Sequence, residues 1–367
     1  MQKALQVIFI FVVIIIVAVT LTSFYFGNIF LAKAGFFATV DKGLTWGKFG
    51  QSVSGGNINR ADITDLKYNP KDRRIMYALT LGSGLYKSVD SGASWHQLVD
   101  ANKVFSSRAD VYSIAVDYNF PKKEGGKTVP DKFFIAAYQN SYGRIFKTED
   151  GGLSFRQVYI TSRPKFAVFD VDIDPVRPNV VWAGTADGLL LKSQDYGETW
   201  KLVQEFGAII SAVLIDPRAP RQMFITTINK GIFSSSDGGA TWVDETESLK
   251  KFPRAVNIQS AYRDLATNAI YLATGFGLLK SNDGGVSWNA VSVIFPDEVL
   301  PVTAVGVSPK NQQEIYTAAG NIIYRTLNGG ESWQVRQLNT NKKVKLFLVN
   351  PDNTSQVFAG LGKATLR

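Results

Sequence analysis

The chain has no cysteine and only one histidine among its 367 residues, and these two absences exclude several kinds of site. Without cysteine, disulfides, thiolate metal sites and a lipoprotein acyl anchor are all impossible. With His96 as the single imidazole, a site needing two histidines is excluded and a Ser-His-Asp triad is disfavoured. His96 directly follows the repeated Trp95, which favours a position on a strand face. We expect no metal and no cofactor, and a fold stabilised by its core alone.

Acidic residues are fewer than basic ones, 31 against 40, so the formal net charge is +9. Such a balance favours anionic partners, which include acidic protein, nucleic acid, phospholipid head groups and polyanionic glycan. It carries no information about the fold. Among these partners we expect an acidic protein or another anionic ligand rather than nucleic acid.

One long hydrophobic run stands at the N-terminus, where residues 4–26 are almost entirely apolar. About 20 apolar residues cross a bilayer as a helix, whereas the core of a cleaved signal peptide is shorter. We therefore expect residues 1–34 to form a signal anchor, with a cytoplasmic tip at 1–3, a transmembrane helix over about 4–26 and a short linker.

The sequence also suggests on which side of a membrane the remaining chain lies. Lys3 is the only charge before the apolar run, so the positive-inside rule places the tip in the cytoplasm. The rest is then extracytoplasmic, on the periplasmic or cell-surface side. The alternative is cleavage after Ala34, because Ala32-Lys33-Ala34-Gly35 resembles a small-residue cleavage site. In that case the protein would be secreted.

A single motif, Ser/Thr-x-Asp-x-Gly-x-Ser/Thr-Trp, occurs seven times between Thr39 and Trp333. Six of the seven tryptophans of the chain belong to it. Its acidic position is occupied by Asp41, Asp90, Asp150, Asp195, Asp237, Asp283 and Asn328. Its aromatic position is occupied by Trp46, Trp95, Phe155, Trp200, Trp242, Trp288 and Trp333.

This motif is the Asp-box, and its residue types suit a tight hairpin turn. An Asp side chain can accept hydrogen bonds from turn amides, and Gly permits the positive φ that such turns often need. The aromatic residue is expected to pack beneath the turn. A catalytic or metal-binding role for these carboxylates is the alternative, but seven equivalent hairpins cannot converge on one site. We interpret the boxes as structural.

The spacing of the boxes predicts an all-β, seven-bladed β-propeller of four-stranded blades with one box per blade. Successive acidic positions are about 40 to 60 residues apart, close to the repeat length of a propeller blade. The first box has only two strands of its own, and two strands near 344–350 and 357–360 have no box. Pairing these halves predicts a ring over residues 35–367 without open sheet edges. The longest interval contains a Lys-, Pro- and Gly-rich surface loop at 119–132.

One rim of this propeller is predicted to carry cations from several blades. Aligned on the Pro-containing ends of the first strands, basic residues recur about nine positions upstream. We call this set the crown, and it consists of Arg60, Arg108, Lys165, Arg254, Lys342 and Lys343. The alternative is that these are solvated loop charges. The crown is the binding site that the sequence favours.

Carboxylates are also expected along the first strands, which line the central channel of a propeller. Asp65, Asp170 and Asp172 occupy positions that should face the channel. Blades two apart could present a carboxylate pair, which is what a glycosidase needs, so these are weak catalytic candidates. Asp170–Asp174 also imitates a calcium loop but lacks its Gly and distal Glu. A water-filled polar channel explains the same residues without chemistry.

The seven boxes behind an apolar N-terminal segment resemble the photosystem II assembly and stability factor family. That resemblance implies a non-catalytic seven-bladed propeller that binds other proteins through an arginine-rich face, with relatives in many bacteria that do not photosynthesise. Its individual arginines do not match positions here, so the partner is not implied.

Three other families with this repeat resemble the chain more distantly. Sialidases require an Arg-Ile-Pro motif before the first box, and no Arg-Ile-Pro occurs here. Xyloglucan-cleaving glycosidases pair two such propellers, and sortilin ectodomains have ten blades and a cysteine-rich module. We therefore expect a non-catalytic, membrane-tethered extracytoplasmic scaffold that binds an acidic partner. The alternatives are a sialidase-like or xyloglucanase-like glycoside hydrolase acting through the channel carboxylates, and a ligand-binding or adhesion receptor.

Overall fold

The computed structural model describes residues 35–264, 266–293 and 301–363. These residues form β-strands and two short 3-10 helices, Ile58–Arg60 and Thr246–Leu249. No helix within them has the length and apolarity needed to cross a bilayer. The N-terminal helix expected at 4–26 lies outside the described residues.

The strands form seven four-stranded antiparallel units around a central channel, which confirms the predicted seven-bladed propeller. In each unit the chain runs from the innermost strand outward. The strands of blades 1 to 3 are Asp62–Tyr68, Met76–Leu81, Leu85–Ser88 and Ser94–Gln97, then Asp110–Val116, Phe133–Gln139, Tyr142–Thr148 and Arg156–Ile160, then Val168–Ile173, Val181–Thr185, Leu189–Ser193 and Lys201–Glu205. Those of blades 4 to 6 are Ile210–Ile215, Met223–Thr227, Gly231–Ser235 and Val243–Asp244, then Ile258–Arg263, Ile270–Thr274, Leu278–Ser281 and Asn289–Ala290, then Ala304–Ser308, Asn311–Ala319, Ile322–Thr326 and Gln334–Gln337.

Blade 7 joins the two ends of the described chain. Its first two strands, Lys343–Val349 and Val357–Gly362, come from the C-terminal part. Its third and fourth, Phe36–Thr39 and Gly47–Lys48, come from the N-terminal part. Phe36 pairs with Gly360 and Thr39 with Val357 in antiparallel register. This pairing closes the ring, so the edges of the terminal strands are covered.

Two local features differ from a plain repeat of four strands. In blade 1 a fifth strand, Gln51–Ser54, runs parallel to the outermost strand and pairs with Ser94–His96. The 119–132 insertion is partly ordered as a small hairpin, in which Lys122–Glu124 pairs with Lys127–Val129. The sequence predicted a loop there because its Lys, Gly and Pro content is unusual for a strand.

The core is divided into seven apolar clusters, each formed by two neighbouring blades. The second strands are buried along nearly their whole length, because a central strand faces a neighbouring blade on both sides. This explains runs such as Val181–Thr185, where all five residues are buried instead of alternating. Aromatic edge contacts link the clusters to the boxes, as between Phe36 and Trp95.

The alternation of strand direction gives the ring two distinct faces. One face holds the segments that lead into the first strands, together with the turns between second and third strands; we call it the crown face. The opposite face holds the Asp-box turns between third and fourth strands, and we call it the box face. Backbone hydrogen bonds connect the crown-face segments to the turns beside them, as from Gly84 N–H to Ala109 O and from Lys165 N–H to Ser141 O.

All seven box turns share one hydrogen-bond pattern. The first hydroxyl of each box accepts from the glycine N–H, and the acidic or amide oxygen accepts from the N–H two residues after that glycine. The seven glycines have φ between 80° and 106°, which a side chain would strain. Trp95 and Trp288 also donate their indole N–H to the box-glycine carbonyls, at 2.8 and 3.0 Å. Each box therefore acts as a self-contained turn.

Candidate functional site

Five of the six crown residues lie in segments that lead directly into first strands, and Lys343 is the first residue of such a strand. Arg60, Arg108, Lys165 and Arg254 are exposed. They precede blades 1, 2, 3 and 5, so the cations are distributed around the crown face instead of clustering on one blade. Within the described chain, none of these four side chains has a hydrogen-bond or ion-pair partner.

The backbone holds these crown segments in defined turns. Arg60 ends a 3-10 turn capped by Asn57, whose side chain accepts from Asn59 N–H at 3.0 Å. Lys165 and Arg254 both have positive φ, 68° and 64°, in tight turns. Lys165 is fixed there by the hydrogen bond to Ser141 O at 2.8 Å. These cationic side chains are thus unpaired, while the backbone that carries them is already ordered. Binding therefore does not require the backbone of these turns to lose further conformational entropy.

Lys342 is engaged within the ring, unlike the other crown residues. Its Nζ lies 3.1 Å from Asp62 Oδ1 and donates to Ala61 O at 2.5 Å, so it joins blade 7 to blade 1. Lys363, which the sequence did not single out, lies 3.7 Å from the other oxygen of Asp62. Lys343 is half-buried and has no ion-pair partner among the described residues. The crown therefore comprises five available cations and one structural cation.

The three aspartates proposed for the channel line one cavity of about 590 Å³. All seven first strands contribute to its walls, and Asp65, Asp170 and Asp172 come from blades 1 and 3. The cavity is within the size range of small-molecule sites. Its walls combine carboxylates with the aromatic rings of Tyr112 and Phe169, which pack edge to face at 4.7 Å.

Asp170 holds three blades together. Its Oδ1 accepts from Ser113 Oγ of blade 2 at 2.6 Å, and its Oδ2 accepts from Val213 N–H of blade 4 at 2.6 Å. Both carboxylate oxygens are thus occupied by fixed donors. Burial nevertheless raises the pKa of Asp170, against the lowering effect of Lys67 and these hydrogen bonds. Its contacts make Asp170 a structural bridge.

Asp65 and Asp172 are less engaged and share one neighbouring cation, Lys67. Each accepts a backbone N–H from the next residue, at 2.8 and 3.0 Å. Lys67 Nζ lies 3.9 Å from Asp65 Oδ2 and donates to Ile114 O at 2.9 Å. Burial raises the pKa of Asp65 to about 6 and that of Asp172 to about 7, although Lys67 lowers both. Burial acts to lower the pKa of Lys67, but the three carboxylates together raise it.

Sequence reasoning missed several polar residues of this channel. Lys67 was detectable, because it stands two positions after Asp65 and so faces the same side of the strand. Arg263 could not be found from the sequence, because the residue it approaches, Asp216 of blade 4 at 3.7 Å, is far away along the chain. Its Nε has no hydrogen-bond partner among the described residues. Tyr68 is also buried, with an unpartnered hydroxyl. Neither residue belongs to a motif that would have indicated it.

The two regions offer different chemistry. The crown presents ordered, exposed cations suited to carboxylates or phosphates. The channel offers Asp65 and Asp172, whose pKa values burial raises to about 6 and about 7, a range suited to a general acid. No group of three or more metal-ligating side chains occurs among the residues that the structure describes.

Comparison with known protein families agrees with the predicted resemblance. The family model described as photosynthesis system II assembly factor YCF48 matches residues 210–346, which cover blades 4 to 6 and the start of blade 7. A photosystem II assembly lipoprotein Ycf48 from a Synechococcus species is 33% identical over 31% of this chain and 33% of its own length. These matches confirm the resemblance to this family.

Xyloglucan-cleaving enzymes are similar over more of the chain. An oligoxyloglucan-reducing end-specific xyloglucanase of Emericella nidulans is 24% identical over 78% of this chain and 41% of its own length. The chain spans less than half of the length of the curated relatives it matches.

Solved structures show the fold that these sequences share. A GH74 enzyme of Niastella koreensis superimposes with a TM-score of 0.65 at 17% identity, over 89% of this chain and 53% of that one. A structure described as YCF48 bound to D1 peptide superimposes with a TM-score of 0.59 at 15% identity, over 82% of this chain and 93% of that one. At these identities the likeness concerns the propeller alone.

Proposed function

We propose that this protein is a non-catalytic, membrane-tethered extracytoplasmic scaffold that binds an acidic protein partner on its crown face. The observation that carries the proposal is the set of four exposed cations, Arg60, Arg108, Lys165 and Arg254, on ordered turns of four blades and without partners in the described chain. Exposed charges that are unpaired and carried by an ordered backbone favour association with an oppositely charged surface. A structure similar to this chain is described as bound to a D1 peptide, which supports a protein or peptide ligand.

The proposal is tested by reversing the charge of Arg60, Arg108 and Arg254 together. Because the three residues come from different blades, no local collapse could produce a shared effect. We expect the triple Glu variant to lose capture of the partner from detergent-solubilised native membranes, with the melting temperature unchanged. Binding by the wild type should weaken steeply with salt, since exposed charges are screened beyond about 8 Å at physiological ionic strength.

The matched control reverses three lysines of the insertion, Lys122, Lys123 and Lys127. These lie in the hairpin between the first and second strands of blade 2, on the box face. Their reversal changes the net charge by the same amount, and we expect partner capture to persist. Equal loss from both variants would mean that only the total charge matters, and retained capture in the crown variant would refute the crown as the binding surface.

The membrane tether belongs to the same proposal and has its own test. We expect the full chain to remain in the membrane fraction after a high-salt wash, and protease added to spheroplasts to cut the 119–132 insertion. Release by salt of a protein that starts at Gly35 would establish cleavage and secretion.

A glycoside hydrolase is the second candidate, favoured by the channel carboxylates. The pKa values of Asp65 and Asp172, raised to about 6 and about 7, suit proton donation near neutral pH. The similarity to xyloglucanases over 78% of the chain supports the same alternative. Incubation of the purified protein with xyloglucan oligosaccharides, followed by a reducing-end assay, separates the two functions. Turnover that Asp172→Asn abolishes would favour the hydrolase.

A further inference from the structure

The first described residues enter the propeller on the crown face. Phe36–Thr39 is the third strand of blade 7 and runs from the crown face toward its box turn, so Gly35 lies at the crown-face end. Gly35 O accepts from Leu361 N–H at 2.9 Å. A Cβ on Gly35 would lie 2.1 Å from Ile58 O, in the 3-10 turn that also holds Arg60. The start of the ring is therefore fixed next to the crown.

Three chain segments at the junction of blades 7 and 1 carry a cation. Arg60 precedes the first strand of blade 1, Lys343 begins the first strand of blade 7, and Lys363 follows the second strand of blade 7. We call Lys343 and Lys363 the tether-side cluster; Arg60 beside them belongs to the partner-binding set. The charge of Lys342 nearby is balanced by Asp62, and the Lys363 side chain remains 82% exposed despite its distance of 3.7 Å from Asp62.

The opposite sector of the same face has a different charge pattern. Around blades 3 and 4 the crown face carries Asp187, Glu205 and Glu247, so cations there are accompanied by carboxylates. Lys250 pairs with Glu247 at 2.6 Å, and Arg163 lies 3.8 Å from Asp187. Ion pairs therefore engage part of the charge in that sector, whereas the Lys363 side chain at the blade 7–blade 1 junction stays mostly exposed.

Chain length restricts how far this sector could lie from a bilayer. If residues 4–26 cross the membrane, only the eight residues 27–34 separate the span from Gly35. Eight residues reach at most about 28 Å when fully extended. The crown-face end of the blade 7–blade 1 junction would therefore be held near the membrane surface.

We infer that the tether-side cluster docks the propeller onto the bilayer by contacting the phosphates of anionic lipid headgroups, with the crown face toward the membrane. The inference depends on the membrane anchor of the proposed function. Each basic residue near an anionic bilayer adds to the electrostatic attraction. Stable membrane binding generally needs a second contribution, which the membrane anchor would supply. If the propeller docks at the blade 7–blade 1 edge, Arg108, Lys165 and Arg254 on the other blades stay available to bind the protein partner.

The absence of cysteine allows a direct test on the full-length protein in lipid nanodiscs. A donor dye is attached to Asn341→Cys on the crown face or to Ala93→Cys in the box turn of blade 1, both exposed positions. Energy transfer is measured to acceptor-labelled lipid headgroups, in neutral discs and in discs containing phosphatidylglycerol. We expect higher transfer from position 341 than from position 93 in the anionic discs, and a smaller difference in neutral discs or high salt.

Charge reversal then locates the contact. Lys343→Glu with Lys363→Glu should lower the ratio of docked to undocked protein in anionic discs by roughly fivefold or more per residue. The matched control, Lys122→Glu with Lys123→Glu in the box-face hairpin, changes the same charge on the opposite face and should leave transfer nearly unchanged. If the double variant does not fold, the difference in transfer between positions 341 and 93 in the wild-type background still tests docking, because it should shrink in neutral discs and in high salt.

The outcomes separate this inference from the proposed function. Protein that leaves the discs in a high-salt wash would refute the anchor, and with it the membrane part of the proposed function. Protein that stays in the discs but gives equal transfer from positions 341 and 93 would refute only lipid docking. An equal loss of energy transfer in the two double variants would show that the tether-side cluster is not the lipid contact. If position 341 gives the higher transfer only after the acidic partner is added, the cluster binds protein and not lipid.

Discussion

Aspartates of the box turns and aspartates of the channel experience opposite environments in the same ring. In the boxes, hydrogen bonds from Thr199 and Ser193 lower the pKa of Asp195 to about 2. In the channel, burial raises the pKa of Asp172 to about 7, although Lys67 opposes the rise. The difference lies in the donors: Asp195 has hydroxyl and amide donors within its own turn, whereas among the described residues Asp172 accepts only the N–H of Ile173. Local donors stabilise a carboxylate, and enclosure without them destabilises its charged form.

Asp170 differs from the other two channel aspartates, and its removal should lower the free energy of unfolding more than that of a box aspartate. It lies in the channel but has donors on both oxygens, from Ser113 and Val213. We expect Asp170→Ala to lower the free energy of unfolding by about 2–3 kcal/mol, because it leaves the Val213 N–H without a partner. Urea unfolding measures the loss. Ser113→Ala, which leaves that N–H bonded, should cost less; an equal loss would contradict the bridging role of Asp170.

A box aspartate should have a smaller effect, because its turn is local. Asp283 accepts from the Ser281 hydroxyl at 2.7 Å and from Ser287 N–H at 2.9 Å. We expect Asp283→Ala to lower the free energy of unfolding by about 1 kcal/mol, as for loss of a capping side chain. Partner capture should persist, since the turn lies on the face opposite the crown. Unchanged stability combined with lost capture would assign a binding role to the box.

The channel side of the comparison also predicts a pH dependence, contributed by Asp172. Burial raises its folded-state pKa to about 7, far above the usual value of an aspartate, so the folded state binds the extra proton and this stabilisation is lost as pH rises through about 7. Lys67, Asp170 and Tyr118 face the same carboxylate. Asp172→Asn removes the titration, so its melting temperature relative to wild type should rise between pH 5 and pH 8.

The control for the Asp172 experiment is a box aspartate, Asp283. The pKa of Asp283 is lowered by its Ser287 and Ser281 hydrogen bonds, which outweigh burial, so it stays ionised in both folded and unfolded states across this range. The melting temperature of Asp283→Ala relative to wild type should therefore stay constant between pH 5 and pH 8. A constant offset for Asp172→Asn as well would refute the raised pKa of the channel carboxylate.

The propeller could be predicted from sequence because the boxes repeat. Each box is stabilised by contacts within a few residues, so its pattern survives in the sequence, and seven copies specify the number of blades. The fifth strand at Gln51–Ser54 was missed, because its partner is the edge of blade 1 and not a neighbour in sequence. The roles of the crown residues were only partly predictable. Arg108 and Lys342 occupy nearly the same aligned position, but of these two only Lys342 forms an ion pair with Asp62.

The sequence by itself determined the repeat, the turn chemistry of the boxes and the strands on which Asp65, Asp170 and Asp172 lie. These features depend on hydrogen bonds and side-chain alternation over a few residues, which a linear pattern records. Only the tertiary structure decided that Asp170 bridges blades 2 and 4, that Lys67 serves the other two carboxylates, and that Gly35 enters beside Arg60. Closing the ring brings together residues far apart in sequence, and the charge and burial of each group depend on those distant neighbours.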